Sequence, residues 1–141
     1  SDIHSVLGLS QLRKIDKFVK LRRNIAKIYN FFFKDKINLV TPIEKKNVYH
    51  SYHLYPLQID FNKLKINKDD FFKKMYKRRI KLQVHYIPIF MQPYYKKKYK
   101  LNPKSFNNAY NFYKKTVSLP IYPNLKKREI DLITKNIFNL I

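Results

Sequence analysis

The sequence lacks cysteine and tryptophan altogether and contains a single glycine in 141 residues. Without cysteine the chain forms neither disulfides nor thiolate-metal sites, which is typical of a cytoplasmic protein. No apolar run approaches the roughly 18 residues that a membrane-spanning helix needs, and no secretory signal opens the chain. One glycine, Gly8, is too few for a glycine-rich phosphate loop. We therefore expect a single cytoplasmic domain with no membrane partner.

Acidic residues are also scarce: nine Asp and Glu stand against 31 Lys and Arg, giving a formal net charge of +22. Such a charge suits a nucleic-acid or anionic partner. However, the abundant Lys, Asn, Ile, Tyr and Phe all have AT-rich codons, so drift in an AT-rich genome explains the same charge as a solvated surface. Charge alone does not separate these two interpretations.

The apolar residues that are present, 45% of the chain, are enough to build a folded core. Their helical spacing over residues 1–33 predicts one long helix with Ser1 as its N-cap. Alternation predicts strands at residues 51–60 and 80–86, and Pro56 indicates an edge or an irregular position in the first of them.

The secondary structure of the remaining segments is predicted from helix-capping residues, from apolar residues at helical spacing and from prolines. Asn67 is the expected N-cap of a second helix that opens at Lys68. A proline-containing loop over 87–95 and a basic turn over 96–103 should follow the second strand. Helices over 107–117 and about 126–140 flank an extended piece at 118–123, and a short edge strand is expected near Leu39. The order predicts an α/β or α+β fold, with a small, mostly antiparallel sheet covered by helices.

Four segments, in this order, resemble the small domain of DegT/StrS-type sugar aminotransferases. They are DI and LGLSQL with RRNIA within residues 2–26, SYHLY at 51–55, VHYIP with QPYY within 84–95, and SLPIYP at 118–123. Within that family, the third segment is most similar to the branch that aminates a UDP-linked 4-keto-6-deoxy sugar in pseudaminic acid biosynthesis. The resemblance covers nearly the whole chain.

The resemblance implies that residues 1–141 are the C-terminal small domain of a fold-type I enzyme, with residues 1–33 as its connecting helix. It also implies a homodimer that uses pyridoxal 5'-phosphate (PLP), with a UDP-sugar and an amino donor, expected to be glutamate, as its partners. The Schiff-base lysine and the phosphate-binding groups would then lie upstream of Ser1. This chain alone should bind no PLP, be inactive and expose apolar surface on its first helix.

His85 is the main candidate for contact with the sugar nucleotide, because a strand end lets a side chain point into a cleft. Tyr86, Gln92 and Tyr94 are further candidate substrate-binding residues, and we assign no catalytic or cofactor-binding residue to this chain. The structural alternatives are a hydrogen-bonded cap for His85 and core packing for Tyr86. His53 is expected to bond a backbone carbonyl.

The basic clusters and the four histidines are the remaining candidates for ligand contacts. The basic clusters at residues 77–79 and 96–98 are either diphosphate contacts or solvated lysines and arginines. His4, His50, His53 and His85 lack the spacing of metal ligands, so no metal site is expected.

A small basic nucleic-acid-binding module is the alternative function, because aromatic residues are interleaved with lysines at 94–100 and 111–115. A noncatalytic dimerisation domain also fits the sequence. The aminotransferase interpretation in turn expects Val84, His85 and Tyr86 to lie in a sheet beside the opening helix.

Overall fold

The computed structural model describes residues 1–141 and contains six helices and a three-stranded sheet. The predicted class, a small antiparallel sheet with helices packed on it, is confirmed. None of the helices combines the length and apolar character that crossing a membrane requires. The helices are α1 (Asp2–Leu12), α2 (Ile15–Phe33), α3 (Lys68–Lys77), α4 (Pro93–Tyr99), α5 (Asn107–Lys115) and α6 (Lys127–Phe138), and the strands are β1 (Leu39–Val40), β2 (Tyr55–Ile59) and β3 (Thr116–Leu119).

The sheet has the order β1-β2-β3, and both pairs are antiparallel. Tyr55, Leu57 and Ile59 are buried, so the predicted alternation holds, although the strand is shorter than residues 51–60. β1 reaches only Gln58 and Ile59, so Pro56 lies where β2 pairs with β3 alone. A residue with no backbone N–H is tolerated at such a locally one-sided position.

The helix predicted over residues 1–33 is two helices, α1 and α2, which separate at Arg13 and Lys14. The chain tightens there, because the Lys14 amide bonds the carbonyl three residues earlier, that of Gln11, at 3.0 Å. Of these two helices, only α2 contributes residues to the core, and no residue of α1 is buried. Core packing therefore fixes α2 and leaves α1 free to take another direction.

The strand predicted over residues 80–86 is wrong, since this segment makes a single bridge between Gln83 and Ser118. The Gln83 amide donates to the Ser118 carbonyl at 3.2 Å, and the Ser118 amide donates back at 2.9 Å. β3 has only four residues and is already paired with β2 on its other side. Val84, His85 and Tyr86 consequently lie beside the sheet and outside its strands.

Two further boundaries differ from the prediction. Residues 93–99, expected as loop and turn, form α4, which Pro93 starts in the position that proline favours. Thr116 and Val117, expected at the end of a helix, begin β3. In contrast, Asn67 caps α3 as predicted, because its side-chain oxygen accepts from the Asp70 amide at 2.8 Å.

The core lies between the sheet and helices α2, α3 and α6, whose buried residues form one cluster. Two tyrosines fasten α2 to other parts of the chain through hydroxyl hydrogen bonds. Tyr29 donates to the Pro120 carbonyl at 2.8 Å, just after β3, and Tyr55 of β2 donates to Asn30 at 2.6 Å. These bonds satisfy polar atoms that core packing would otherwise bury without a partner.

Arg23 of α2 holds the segment between β1 and β2 through Glu44 and His50. Its guanidinium donates to both carboxylate oxygens of Glu44, at 2.5 and 3.1 Å, and to the His50 carbonyl at 2.8 Å. The His50 amide also donates to Glu44 at 2.7 Å. The hydrogen bond from Arg23 is the main reason that the pKa of Glu44 lies below its usual value.

Acidification should weaken the interaction of Glu44 with Arg23. A carboxylate whose pKa is lower in the folded chain stabilises it above the unfolded pKa, and that contribution is lost as pH falls through the folded pKa. We expect the Glu44→Gln variant to be less stable than wild type near neutral pH, and to lose less stability on acidification. Urea unfolding from about pH 7 to about pH 2 measures both effects. Asp131→Asn, at an exposed residue without an ion pair, is the control. Parallel pH profiles for Glu44→Gln and wild type would contradict the assignment.

Candidate functional site

A groove of about 580 Å³ opens beside β3, and His85 lines its wall. Leu119, Ile121 and Ile133 contribute apolar surface, while His85 and Ser118 contribute polar groups. A mainly apolar concave surface with a few polar side chains is the usual composition of a small-molecule site. We call this surface the His85 groove.

His85 itself is half-buried, and its Nδ1 atom makes no hydrogen bond within the protein. A buried imidazole nitrogen costs free energy unless it has a polar partner. The ring meets Tyr86 edge to face at 4.8 Å, and the peptide bond between these two residues is cis. His85 is therefore not capped by hydrogen bonds at a strand end, which was the structural alternative for it.

β3 supplies two hydroxyl groups near His85 that the sequence analysis did not identify. Ser118 lines the His85 groove, and Thr116 shares a second cavity of about 390 Å³ with His85. The side-chain oxygens of Thr116 and Ser118 are buried and make no hydrogen bond within the protein. No signal in the sequence marks these two residues, since Thr116 was expected at the end of a helix.

The structure brings His85 and Tyr86 together but separates them from the other two candidates. Tyr86 is 73% exposed at the second cavity. Gln92 donates to the Ile87 carbonyl at 3.3 Å, and Tyr94, on α4, accepts from Lys98 at 2.9 Å. Neither Gln92 nor Tyr94 lines the groove or the second cavity. Their interactions are with their own loop and helix.

His53 also differs from its expected role. It makes no hydrogen bond to a backbone carbonyl, is exposed, and lines the His85 groove. The residue lies just before β2 begins, so it is not fixed by strand pairing. A second imidazole is thus available on the same surface as His85.

The charges around the groove are mostly positive. Arg79 and Lys81 line it and are exposed, and of the basic cluster at residues 77–79 only Arg79 does so. The one carboxylate, Glu129, is bound to the Lys126 amide at 2.7 Å, where it caps α6. The groove is consequently suited to an anionic ligand with an apolar part.

The groove does not have the groups that PLP needs. PLP requires an amine for its Schiff base and donors around its phosphate. Lys81 is the only lysine in the groove, and it is exposed. Lys68, whose pKa is lowered to about 8 by burial, lies elsewhere, and Gly8 is on the exposed helix α1. The residues that line this groove therefore do not fit the cofactor by themselves. The structure contains no group of three or more potential metal ligands.

The profile of the DegT/DnrJ/EryC1/StrS aminotransferase family matches residues 1–138. An uncharacterized protein of Methanocaldococcus jannaschii, MJ1066, is 40% identical over 130 residues, which cover 92% of this chain and 34% of that protein. The UDP-4-amino-4,6-dideoxy-N-acetyl-beta-L-altrosamine transaminase of Helicobacter pylori is 32% identical over 139 residues, covering 97% of this chain and 36% of that enzyme. The chain thus spans about a third of the length of these relatives.

Solved structures show the same similarity. Helicobacter pylori PseC, an aminotransferase involved in the biosynthesis of pseudoaminic acid, has a TM-score of 0.87 and 30% identity, over 98% of this chain and 36% of its own. The PLP form of Spr1654 from Streptococcus pneumoniae, at 23% identity, shares the fold with a TM-score of 0.89 over 99% of this chain and 35% of its own. The family match over residues 1–138 includes residues 80–86, which form a single bridge and no strand in this structure. The chain belongs to the DegT/DnrJ/EryC1/StrS aminotransferase family.

Proposed function

We propose that this chain acts as the C-terminal small domain of a nucleotide-sugar aminotransferase, in which the His85 groove receives part of the sugar nucleotide. The observation that carries this proposal is the similarity to Helicobacter pylori PseC, at 30% identity and a TM-score of 0.87 over 98% of the chain. The groove supports it, because a half-buried imidazole lies among apolar residues at a surface with a positive rim.

The proposed substrate is a UDP-linked 4-keto-6-deoxy sugar, with glutamate as the amino donor and a homodimer as the active form. Arg79 and Lys81 would attract the diphosphate, and His85 would hydrogen-bond a polar group of the ligand. PLP, held by residues outside this chain, would supply the electron sink for amino transfer. The role of this chain is to bind and orient the substrate.

Replacing His85 by alanine in the whole enzyme tests the proposal. Loss of a ligand hydrogen bond in a partly buried site should lower kcat/KM for the UDP-sugar by about 10- to 100-fold. The absorbance of bound PLP should not change, because no residue of the groove holds the cofactor. His4→Ala is a matched control, since His4 is exposed on α1 and its side chain hydrogen-bonds only Ser1. A His85→Ala enzyme with wild-type kcat/KM would remove His85 from the substrate site.

The nucleic-acid alternative has one structural feature in its favour. α4 exposes Tyr94, Tyr95 and Tyr99 beside three lysines, and Lys98 lies 5.3 and 5.4 Å from the ring centroids of Tyr94 and Tyr99. Exposed aromatic rings next to cations suit single-stranded nucleic acid. The family match along residues 1–138 nevertheless favours the aminotransferase domain as the function of this chain.

A further inference from the structure

Another groove, of about 620 Å³, lies between the start of α3 and the end of α5, apart from the His85 groove. We call it the Lys68 groove. None of the candidate substrate residues lines it; Val84 and Tyr113 line both this groove and the cavity next to His85. Its lining includes Lys68, Asp69, Asn62, Asn111, Tyr113 and Lys114.

Lys68 is half-buried and is held in place by Tyr113. Its Nζ atom donates to the Tyr113 carbonyl at 2.5 Å and lies 4.7 Å from the centroid of the Tyr113 ring. A lysine ammonium has three N–H donors, so two remain after this bond. None of the three ion pairs in the structure includes Lys68. No carboxylate oxygen therefore lies within 4.0 Å of its Nζ atom. This ammonium group is hydrogen-bonded, partly desolvated and in no ion pair.

Three other lysines line the groove, and they differ from Lys68 either in having an ion pair or in being exposed. Lys115 pairs with Asp60 at 3.0 Å, and Lys73 pairs with Asp70 at 3.6 Å. Lys114 has no ion pair either, but it is exposed. Lys68 is therefore the only partly buried lysine of the groove that has no ion pair.

A partly buried cation without a counter-ion is unfavourable, because burial removes water that would solvate it. Consistent with this, burial lowers the pKa of Lys68 to about 8, and Asp69 opposes the shift only in part. A bound anion would offset the lost solvation. Asn62 and Asn111 line the same groove and are exposed, so their side-chain amides are available as further donors.

We propose that the Lys68 groove binds a small oxyanion, a phosphate or a carboxylate, with Lys68 Nζ as the principal donor and the Asn62 and Asn111 amides as secondary donors. This site is separate from the His85 groove and does not take part in the proposed amino transfer. Tyr113 connects the two regions, since its carbonyl fixes Lys68 and the residue also lines the cavity beside His85.

The main test is a titration of the purified chain with orthophosphate, at constant ionic strength set with sodium chloride, followed by amide NMR shifts. We expect saturable shifts for residues around the groove in wild type and in Lys114→Met. Lys68→Met should bind phosphate roughly tenfold more weakly or not at all. The two variants remove the same charge from the same groove, so they separate a defined site from general attraction by the net charge of +22.

Parallel titrations with acetate and glutamate distinguish the two oxyanion classes. Saturation by phosphate alone, or by the carboxylates alone, supports the site and assigns its class; saturation by both supports a general oxyanion site. The proposal is overturned if no anion saturates, or if Lys68→Met and Lys114→Met weaken binding equally.

A measurement on the wild-type chain tests the proposal even if the Lys68→Met variant does not fold. Acylation of lysines with a limiting reagent, read by peptide mass spectrometry, should be slowed by phosphate at Lys68 and not at Lys114. Equal acylation rates at Lys68 with and without phosphate would also overturn the proposal. Lys68→Arg, which keeps the charge, should retain phosphate binding.

Discussion

The Phe33→Ala variant is expected to lose about 3–5 kcal/mol of unfolding free energy, a large part of the stability of a domain of this size. Phe33 is at the end of α2 and is 0% exposed. Its ring lies 6.0 Å from that of Tyr29 and 5.6 Å from that of Phe138, so it joins α2 to α6. Truncation removes these contacts and leaves a cavity that the surrounding helices cannot fill completely.

Phe31→Ala provides the matched control, two residues earlier on the same helix. Phe31 is 83% exposed, so its truncation should change the unfolding free energy by no more than about 0.5 kcal/mol. Urea denaturation followed by circular dichroism measures both variants. Equal losses for the two variants would mean that the end of α2 does not pack as described.

The second large effect concerns α1, whose apolar side chains are all exposed. Ile3, Val6 and Leu7 follow one another at helical spacing and are 81%, 66% and 58% exposed. Contiguous apolar surface of this kind promotes association. We expect the chain to self-associate, and the triple variant Ile3→Gln, Val6→Gln and Leu7→Gln to weaken that association roughly tenfold or more. Analytical ultracentrifugation over a concentration series measures the effect.

Phe31→Gln is the control for this experiment, because it replaces a single exposed apolar residue outside α1. Isolated surface residues of this kind are common and need no partner, so the variant should associate like wild type. A wild-type chain that remains a monodisperse monomer at high concentration would show that α1 is not an interaction surface.

The elements that bury a regular stripe could be predicted from the sequence. α3 has Phe71 and Met75 one turn apart and Asn67 as its cap, and β2 alternates between buried and partly exposed residues. The prediction of a strand at residues 80–86 was wrong because alternating apolar residues indicate an extended backbone. They do not indicate whether a neighbouring strand is available to form hydrogen bonds with it. α4 was missed because all of its side chains are exposed, so it has no apolar period.

The candidate site was only partly predictable for a different reason. His85 was identified together with its neighbours in sequence. Thr116 and Ser118 approach it from β3, far along the chain, and small hydroxyl residues have no sequence signature until the register of the sheet is known. The same limit applies to Arg23 and Glu44, because no periodicity relates a helix residue to a loop residue that it binds.

The pairing of β2 with β3 has a consequence for how the protein is made. Tyr55 pairs with Leu119, whereas β1 pairs with β2 through residues much closer in sequence. On the ribosome, β2 therefore emerges long before the strand that completes its hydrogen bonds. Until then Leu57 and Ile59 belong to an incomplete core with an open sheet edge, the kind of surface that chaperones bind and that aggregates when it is left uncovered.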